Sequence, residues 1–287
     1  MSTDQSSSSV SQERGLVDLH THSICSDGTL TPAELVREAN RRGLSFLGIT
    51  DHDTVAGLPD ALLAAVGTGL SVIPGTELSS ERNGREAHIL GYFVDYQDEQ
   101  LLRDLEDYAS LRPVRIKQII DKLRGLGLGI DLERVHEIAG PGTIGRPHVA
   151  RALVEKGYAT DIADAFDRHI SAGRPAYVPR KKIEPKEAID VITRSGGVAV
   201  LAHPLSTKAV EETLAEFVPL GLRGLEVFYG EYTPEQRQAL RMVAERWDLI
   251  ATGGSDYHGP GVREGRDLGG PFVPIEAIER LKAAAGR

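Results

Sequence analysis

Residues 18–28, DLHTHSICSDG, carry the chain from a short apolar run into a polar loop. The run itself, residues 15–20, has the length and composition of a buried β-strand. Helical apolar spacing follows over residues 32–42, with Thr31 as the predicted N-cap and Glu34 completing a capping box. A second apolar run occupies residues 45–50. A strand, a helix and a second strand in this order are typical of a βαβ unit.

The same alternation continues through most of the chain. Five more strands are predicted at residues 70–74, 87–94, 198–202, 224–228 and 249–252. Four more helices are predicted at residues 59–66, 185–194, 209–218 and 234–247. Because most of the strands are continuous apolar runs, as in parallel sheets, the pattern predicts an α/β fold, either a parallel barrel or a doubly wound sheet.

The alternation stops between about residues 96 and 178, where only helical spacing is found. Apolar residues at 101–123 predict one helix, and residues 147–156 and 162–170 predict two more. We therefore predict three regions: a disordered tail at 1–14, a barrel domain at 15–95 and 179–287, and a helical insertion at 96–178 after strand four.

Composition narrows the class of protein. The chain has 287 residues, a net charge of -9 and a single cysteine, Cys25. One cysteine cannot form an intramolecular disulfide, and no apolar stretch approaches the roughly 20 residues of a membrane span. The first 14 residues lack the features of a signal peptide, so a cytoplasmic location is predicted. The negative charge argues against extended nucleic-acid binding, which needs many cationic contacts to phosphate.

Imidazoles and carboxylates recur at the ends of the predicted strands. Nine such residues lie on or just after strands: His20, His22, Asp27, His52, Glu77, His88, His203, Asp256 and His258. In α/β barrels and open sheets, reactive groups gather at the carboxyl ends of the strands. His20 and His22 are two residues apart and therefore point to the same side of a strand. Such a mixed set suits Mn²⁺, Fe²⁺ or Zn²⁺ better than Ca²⁺ or Mg²⁺, so the sequence predicts a site for several metal ions.

Five motifs carry a resemblance to a known family. They are residues 18–28 (DLHTHSICSDG), 48–54 (GITDHDT), 75–77 (GTE), 202–204 (AHP) and 254–258 (GSDYH). Together they resemble the signature motifs of the PHP (polymerase and histidinol phosphatase) family of metal-dependent phosphoesterases, and the similarity spans almost the whole chain. The resemblance implies a distorted (β/α)7 barrel with three divalent metal ions per chain, with Mn²⁺ favoured and Zn²⁺ or Fe²⁺ as alternatives.

The same resemblance assigns the ligands to individual ions. The first ion would be held by His20, His22, Glu77 and Asp256. Glu77 would bridge to a second ion, held also by His88 and His203. The third would be held by Asp27, His52 and His258. The catalytic residues are expected to be Glu77, Asp256, His203 and His258. Asp51 and Asp53 flank His52 and are predicted either to orient ligand imidazoles or to cap the turn.

The insertion is expected to bind the substrate. A helix starting at Pro147 would leave free N–H groups beside Arg146, which is a suitable place for phosphate. The alternative is that Arg146 only caps or solvates the helix. The resemblance implies that Arg146 and His148 contact a second phosphate of the substrate, and Arg174 in a basic stretch is a further expected contact. Tyr229 either stacks on a base or packs, and a role for Cys25 as a metal ligand is disfavoured because the ligand set is already full.

The predicted function is hydrolysis of a terminal phosphate ester. The insertion resembles that of 3',5'-nucleoside bisphosphate phosphatases, AMP phosphatases and 5'-3' exoribonucleases, so the expected partner is a small nucleotide or the 5' end of a short RNA. One alternative is a histidinol-phosphate phosphatase, and another is a non-catalytic PHP metal-binding module. A hydrolase for C–N bonds would be expected to carry a lysine between two metals, and no such lysine follows a predicted strand. The oligomeric state stays open.

Overall fold

Seven strands form one sheet in the order of the sequence. The computed structural model describes residues 17–82, 85–140, 144–179, 183–262 and 265–287, so the predicted tail at 1–14 lies outside the described residues. The strands are β1 (Val17–Asp18), β2 (Phe46–Ile49), β3 (Ser71–Arg82), β4 (Arg85–Tyr92), β5 (Val198–Leu201), β6 (Gly224–Tyr229) and β7 (Ile250–Gly254). The amide of Leu19 donates to Gly253 O at 3.2 Å, so β7 adjoins β1. The predicted seven-stranded barrel is confirmed.

One strand runs against the others. β4 is antiparallel to both β3 and β5, whereas the other neighbouring pairs are parallel. The expectation of a parallel sheet is wrong here, because only two residues separate Arg82 from Arg85 and a parallel crossover needs a dozen or more. β3 also continues past Pro74, so Glu77 lies within it rather than after it. His88, the fourth residue of β4, therefore reaches the mouth where the parallel strands end.

Helices surround the barrel and build the insertion. They are α1 (Pro32–Arg41), α2 (Leu58–Ala65), α3 (Glu99–Gly125), α4 (Leu132–Ala139), α5 (Arg146–Glu155), α6 (Ile162–Ala165), α7 (Pro185–Arg194), α8 (Val210–Phe217), α9 (Pro234–Arg246) and α10 (Glu276–Ala284). The predicted capping box is present, since Thr31 accepts from Glu34 N and Glu34 accepts from Thr31 N. α4 and α10 were not predicted. A π-helical turn, Phe166–Ile170, follows α6.

α3 joins two hydrophobic cores. It has 27 residues and is therefore about 40 Å long. Leu101 and Leu105 near its start pack in the core between the sheet and the outer helices, whereas Ile116 and Ile119 belong to a separate core within the insertion. β4 delivers the chain to the end of the barrel opposite the mouth, so a helix of this length is needed to return. On this basis we propose that residues 96–178 form the separate insertion domain that the sequence suggests.

The inner face of the barrel forms a third apolar cluster. Leu19, Ile73, Leu90, Tyr92 and Val200 fill it and are almost completely buried. The space is packed with side chains, so polar ligands are confined to the mouth. Among the described helices, none has the length and apolar character needed to cross a membrane.

Candidate metal centre

Glu77 lies at the centre of the mouth. Its side chain is 1% exposed, and each of its oxygens faces more than one imidazole. Oε2 is 3.2 Å from His20 Nε2, 3.3 Å from His22 Nε2 and 3.1 Å from His52 Nδ1. Oε1 is 2.8 Å from His88 Nδ1 and 3.1 Å from His203 Nε2. A carboxylate placed between five imidazoles has the geometry of a bridging ligand.

A second group gathers around Asp27. Its Oδ1 is 3.2 Å from His258 Nε2 and 3.9 Å from His22 Nδ1, and its Oδ2 is 3.9 Å from His52 Nε2. One ligand atom from each of these four residues lies within 4.8 Å of the others. The family resemblance assigned His22 to the first ion only, but its two ring nitrogens face different groups. His22 therefore stands between the Glu77 cluster and the Asp27 cluster.

Asp256 completes the Glu77 cluster with one oxygen. Its Oδ1 is 3.1 Å from His22 Nε2 and 3.5 Å from His20 Nε2. Its Oδ2 accepts a hydrogen bond from Tyr229 Oη at 2.8 Å and pairs closely with Arg266. Arg266 is 6% exposed, and no motif in the sequence pointed to it. Because Oδ2 is occupied by these two partners, Oδ1 is left for an ion.

Three histidines have one nitrogen held in place and the other aimed at the cluster. His258 Nδ1 is 2.8 Å from Asp256 O, so it carries the proton and leaves the Nε2 lone pair free for an ion. His20 Nδ1 is 2.8 Å from Glu226 Oε1, and His203 Nδ1 is 3.1 Å from Ser206 Oγ. Orientation of this kind is typical of imidazoles that bind metal.

Glu226 supports two proposed ligands from beneath. It lies on β6 and is fully buried. While Oε1 faces His20, Oε2 accepts from the backbone N–H of His203 at 2.6 Å. His203 has a backbone φ of 27°, a strained value that this hydrogen bond helps to hold. The sequence prediction missed Glu226 because β6 was taken as a strand without a ligand, although a carboxylate within the apolar run LEVF was a signal.

The two aspartates that flank His52 hold loops together. Asp51 accepts from Ser23 N, Ser23 Oγ and Ser26 Oγ, all at 2.7 Å. Asp53 accepts from Ser79 N at 2.8 Å and from Arg112. These contacts favour the predicted role in the turn over the predicted orientation of imidazoles.

The donor set fits divalent cations. Within the described residues, His22 Nδ1, His22 Nε2, His52 Nδ1 and Asp27 Oδ1 are buried and make no hydrogen bond of normal geometry. Buried polar atoms are rarely left in this state unless they bind an ion or water. Burial lowers the pKa of His52 to about 3, which keeps the ring neutral. Burial would raise the pKa of Glu77, but the imidazoles around it, among them that of His20, lower it well below its usual value.

A cavity of about 800 Å³ opens over this cluster and extends under the insertion. Its cationic lining residues are Arg112, Arg115, Arg146, Lys208 and Arg266. Arg146 is 3.0 Å from Glu86 and lies over the ring of Phe166, at 5.4 Å from the ring centre. α5 begins at Arg146 rather than Pro147, so Arg146 is part of the helix start.

The other predicted substrate contacts lie elsewhere. His148 is buried, does not line the cavity, and accepts from Gly145 N at 3.0 Å through Nδ1. Burial lowers its pKa to about 4. Arg174 is exposed and also lies outside the cavity lining, and the basic residues at 180–182 are outside the described residues.

Burial raises the pKa of the Cys25 thiol, which does not favour metal binding. Tyr229 lines the cavity but is 3% exposed and bound to Asp256, so packing is the favoured role.

Comparison with known proteins identifies the family. The model of the PHP domain matches residues 18–138. The chain is 36% identical to a 5'-3' exoribonuclease of Haemophilus influenzae over 247 residues, which are 85% of this chain and 90% of that protein. It is 33% identical to a 3',5'-nucleoside bisphosphate phosphatase of Chromobacterium violaceum over 258 residues, 88% of this chain and 90% of that one.

A solved structure supports the same assignment. It is a proposed metal-dependent phosphoesterase from Bifidobacterium adolescentis, which superposes with a TM-score of 0.86 at 33% identity and covers 94% of this chain and 98% of that chain. Both the similarity in sequence and the similarity in fold extend over most of each chain. The protein therefore belongs to the PHP family of metal-dependent phosphoesterases.

Proposed function

We propose that the protein hydrolyses a terminal phosphate ester of a nucleotide, either a 3',5'-bisphosphate or a monophosphate, or of the 5' end of a short RNA. The observation that carries this proposal is the position of the ligand cluster, which opens directly into a cavity lined by five cationic side chains. Binding of a phosphate ester is favoured by both the ligand cluster and the cationic side chains, because the negative oxygens of phosphate interact with metal ions and with Arg or Lys. A volume of about 800 Å³ is within the usual range for a small-molecule site.

The nine ligands support three divalent ions, with Mn²⁺ favoured over Zn²⁺ or Fe²⁺. Glu77, His20, His22 and Asp256 would hold one ion. Glu77, His88 and His203 would hold a second. Asp27, His52 and His258 would hold a third, with His22 Nδ1 nearby. When bound, such ions lower the pKa of water and neutralise the charge that develops on phosphate.

Other side chains of the cavity would bind and orient the substrate. Arg146 stands at the start of α5, where backbone N–H groups also favour an anion. The ring of Phe166 beneath its guanidinium holds that side chain at the cavity wall. Lys208 and Tyr232 also line the cavity and offer a cation and an aromatic face. These groups suit a nucleotide whose reacting phosphate lies at the metals and whose second phosphate lies at Arg146.

Relatives support this substrate class. The Haemophilus influenzae protein is named for cleavage of RNA from its 5' end, and the Chromobacterium violaceum protein for hydrolysis of nucleoside bisphosphates. A non-catalytic PHP module would be expected to have lost ligands, whereas all nine positions are filled here. Among the residues that the structure describes, no contact of the site favours histidinol phosphate over a nucleotide.

The proposal is tested by a screen for phosphate release with Mn²⁺ present. The candidate substrates are adenosine 3',5'-bisphosphate, AMP, a short RNA with a 5' phosphate, and histidinol phosphate. RNA cleavage is followed in parallel on a gel. We expect turnover of at least one nucleotide or RNA substrate and none of histidinol phosphate. Turnover of histidinol phosphate alone, or of no phosphoester by metal-loaded protein, would contradict the proposal.

A further inference from the structure

Arg112 connects the insertion to the loop that contains His52 and Asp53. It lies halfway along α3, between the segment packed on the barrel and the segment packed in the insertion core. Its Nε donates to Asp53 Oδ2 at 3.1 Å, and Nη2 makes a second, closer contact with the same oxygen. The side chain of Asp53 is 1% exposed and that of Arg112 is 12% exposed, so the pair is largely buried. Separating the two side chains would leave a buried charge without its partner, which is energetically costly. The pair therefore holds Arg112 and Asp53 at a fixed distance.

Asp53 in turn is held between two strands that carry proposed metal ligands. It follows His52 directly, and its amide donates to Glu77 O at 3.0 Å. Its Oδ1 accepts from Ser79 N at 2.8 Å, two residues beyond Glu77. The backbone of Asp53 has a φ of 53°, an unusual conformation for a residue other than glycine. Arg112 is therefore tied to the part of the chain that positions His52 and Glu77.

On its other side, Arg112 abuts the turn that begins α5. A Cβ added at Gly145 would lie 3.4 Å from Arg112 Nη1, so the guanidinium lies beside the turn. Gly145 is the N-cap of α5 and immediately precedes Arg146. Pro113 follows Arg112 and has no N–H for the helix, so the backbone of α3 is less constrained there. Side-chain contacts then have a larger part in fixing the insertion.

We propose that Arg112 is a positioning residue that sets the distance between the metal cluster and the Gly145–Arg146 turn, and thereby favours substrates with a second phosphate. The proposal rests on the function proposed above. Small displacements of a binding group lower rates strongly, by as much as about a hundredfold for 1 Å. A substrate too short to reach the turn should be insensitive to this distance.

The test compares two substrates and one measure of structure. In Arg112→Ala we expect kcat/KM for adenosine 3',5'-bisphosphate to fall at least about tenfold relative to that for p-nitrophenyl phosphate, mainly through KM. Hydrogen exchange of metal-loaded protein should become faster at residues 144–150 and stay unchanged at residues 250–256. Arg112→Lys keeps a charge at Asp53 but only one donor group, so its effect should be intermediate. Arg103→Ala, an exposed change on the same helix, is the matched control.

Several results would overturn the proposal. An equal loss on both substrates would indicate a general structural role. A changed substrate ratio without faster exchange at 144–150 would make Arg112 a direct phosphate ligand instead. Unchanged exchange with an unchanged ratio would remove it from the site. If the wild-type protein hydrolyses neither ester, the proposed function fails, while the exchange measurement still decides whether Arg112 positions the turn.

Discussion

Glu77 makes the metal cluster one connected unit, because both of its oxygens face imidazoles. We expect Glu77→Gln to abolish phosphate release, since a neutral amide cannot bridge two cations. Phosphate release and metal content by mass spectrometry would be measured on the same sample. Glu235→Gln, an exposed change far along the chain, should behave like the wild type. Normal turnover by the Glu77 variant would remove it from its central role.

Glu226 has a supporting role, because it accepts from a ring nitrogen and a backbone amide and does not line the cavity above the ligand cluster. Glutamine keeps its shape but offers only one accepting oxygen, so either His20 or His203 would lose its partner. We expect Glu226→Gln to weaken Mn²⁺ binding by about 10- to 100-fold, as changes beneath metal ligands commonly do. Activity measured against Mn²⁺ concentration should therefore recover at high metal. A loss of activity that added metal cannot restore would contradict this expectation.

Which of these side chains the sequence predicted depends on where they stand. Eight of the nine proposed ligands belong to the five short motifs, and the ninth, His88, lies on a predicted strand, so all of them could be found without a structure. Arg266 and Arg112 act through residues in other parts of the fold, and nothing local distinguishes them from ordinary charged residues, whereas the one local signal for Glu226 is its position within an apolar run. Arg266, for example, reaches Asp256 and Glu231 from a loop rich in glycine. Only the fold brings such partners together.

The direction of β4 could not be predicted from strand patterning, because an apolar run looks the same in a parallel and in an antiparallel strand. A stronger signal was present, because Asn83 and Gly84 separate β3 from β4, and Asn-Gly favours a two-residue hairpin. The missed helix α4 has a different cause: the surrounding glycines made the stretch resemble a turn. Long, periodic elements such as α1 and α7 were placed almost to the residue.

α3 belongs to both cores, so its two halves should respond differently to cavities. Ile119→Ala removes a fully buried side chain of the insertion core and should cost about 2 to 5 kcal/mol there. We expect faster hydrogen exchange in α4 and α5 with the barrel strands unchanged. Leu101→Ala should instead loosen α7 and the outer face of the sheet. The partly exposed Leu102 provides the control, with an expected effect under about 0.5 kcal/mol. Uniform destabilisation by both core variants would mean that the halves are not separable.

The whole barrel must close before the proposed metal site exists. Its ligands run from His20 to His258, and β1 meets β7 only in the folded chain. Ions that bind only the folded state stabilise it, by about 2.7 kcal/mol at a hundred times the dissociation constant. We expect calorimetry to give a lower Tm after chelation and a higher Tm after Mn²⁺ is restored. The Glu77→Gln variant should show a smaller difference, and identical midpoints in the wild type would contradict the linkage.

The length of α3 has a consequence for redesign. Each residue of an α-helix adds about 1.5 Å and turns the chain by roughly 100°. Removing two full turns, about seven residues, would bring the insertion closer to the barrel by roughly 10 Å, and nearly the same face of the helix would still point to the barrel. Removing two or three residues would instead rotate the insertion away from the mouth of the barrel. Related proteins that keep this arrangement should therefore differ in the length of this helix by whole turns. Each such step would change the height of the cavity above the proposed metal site.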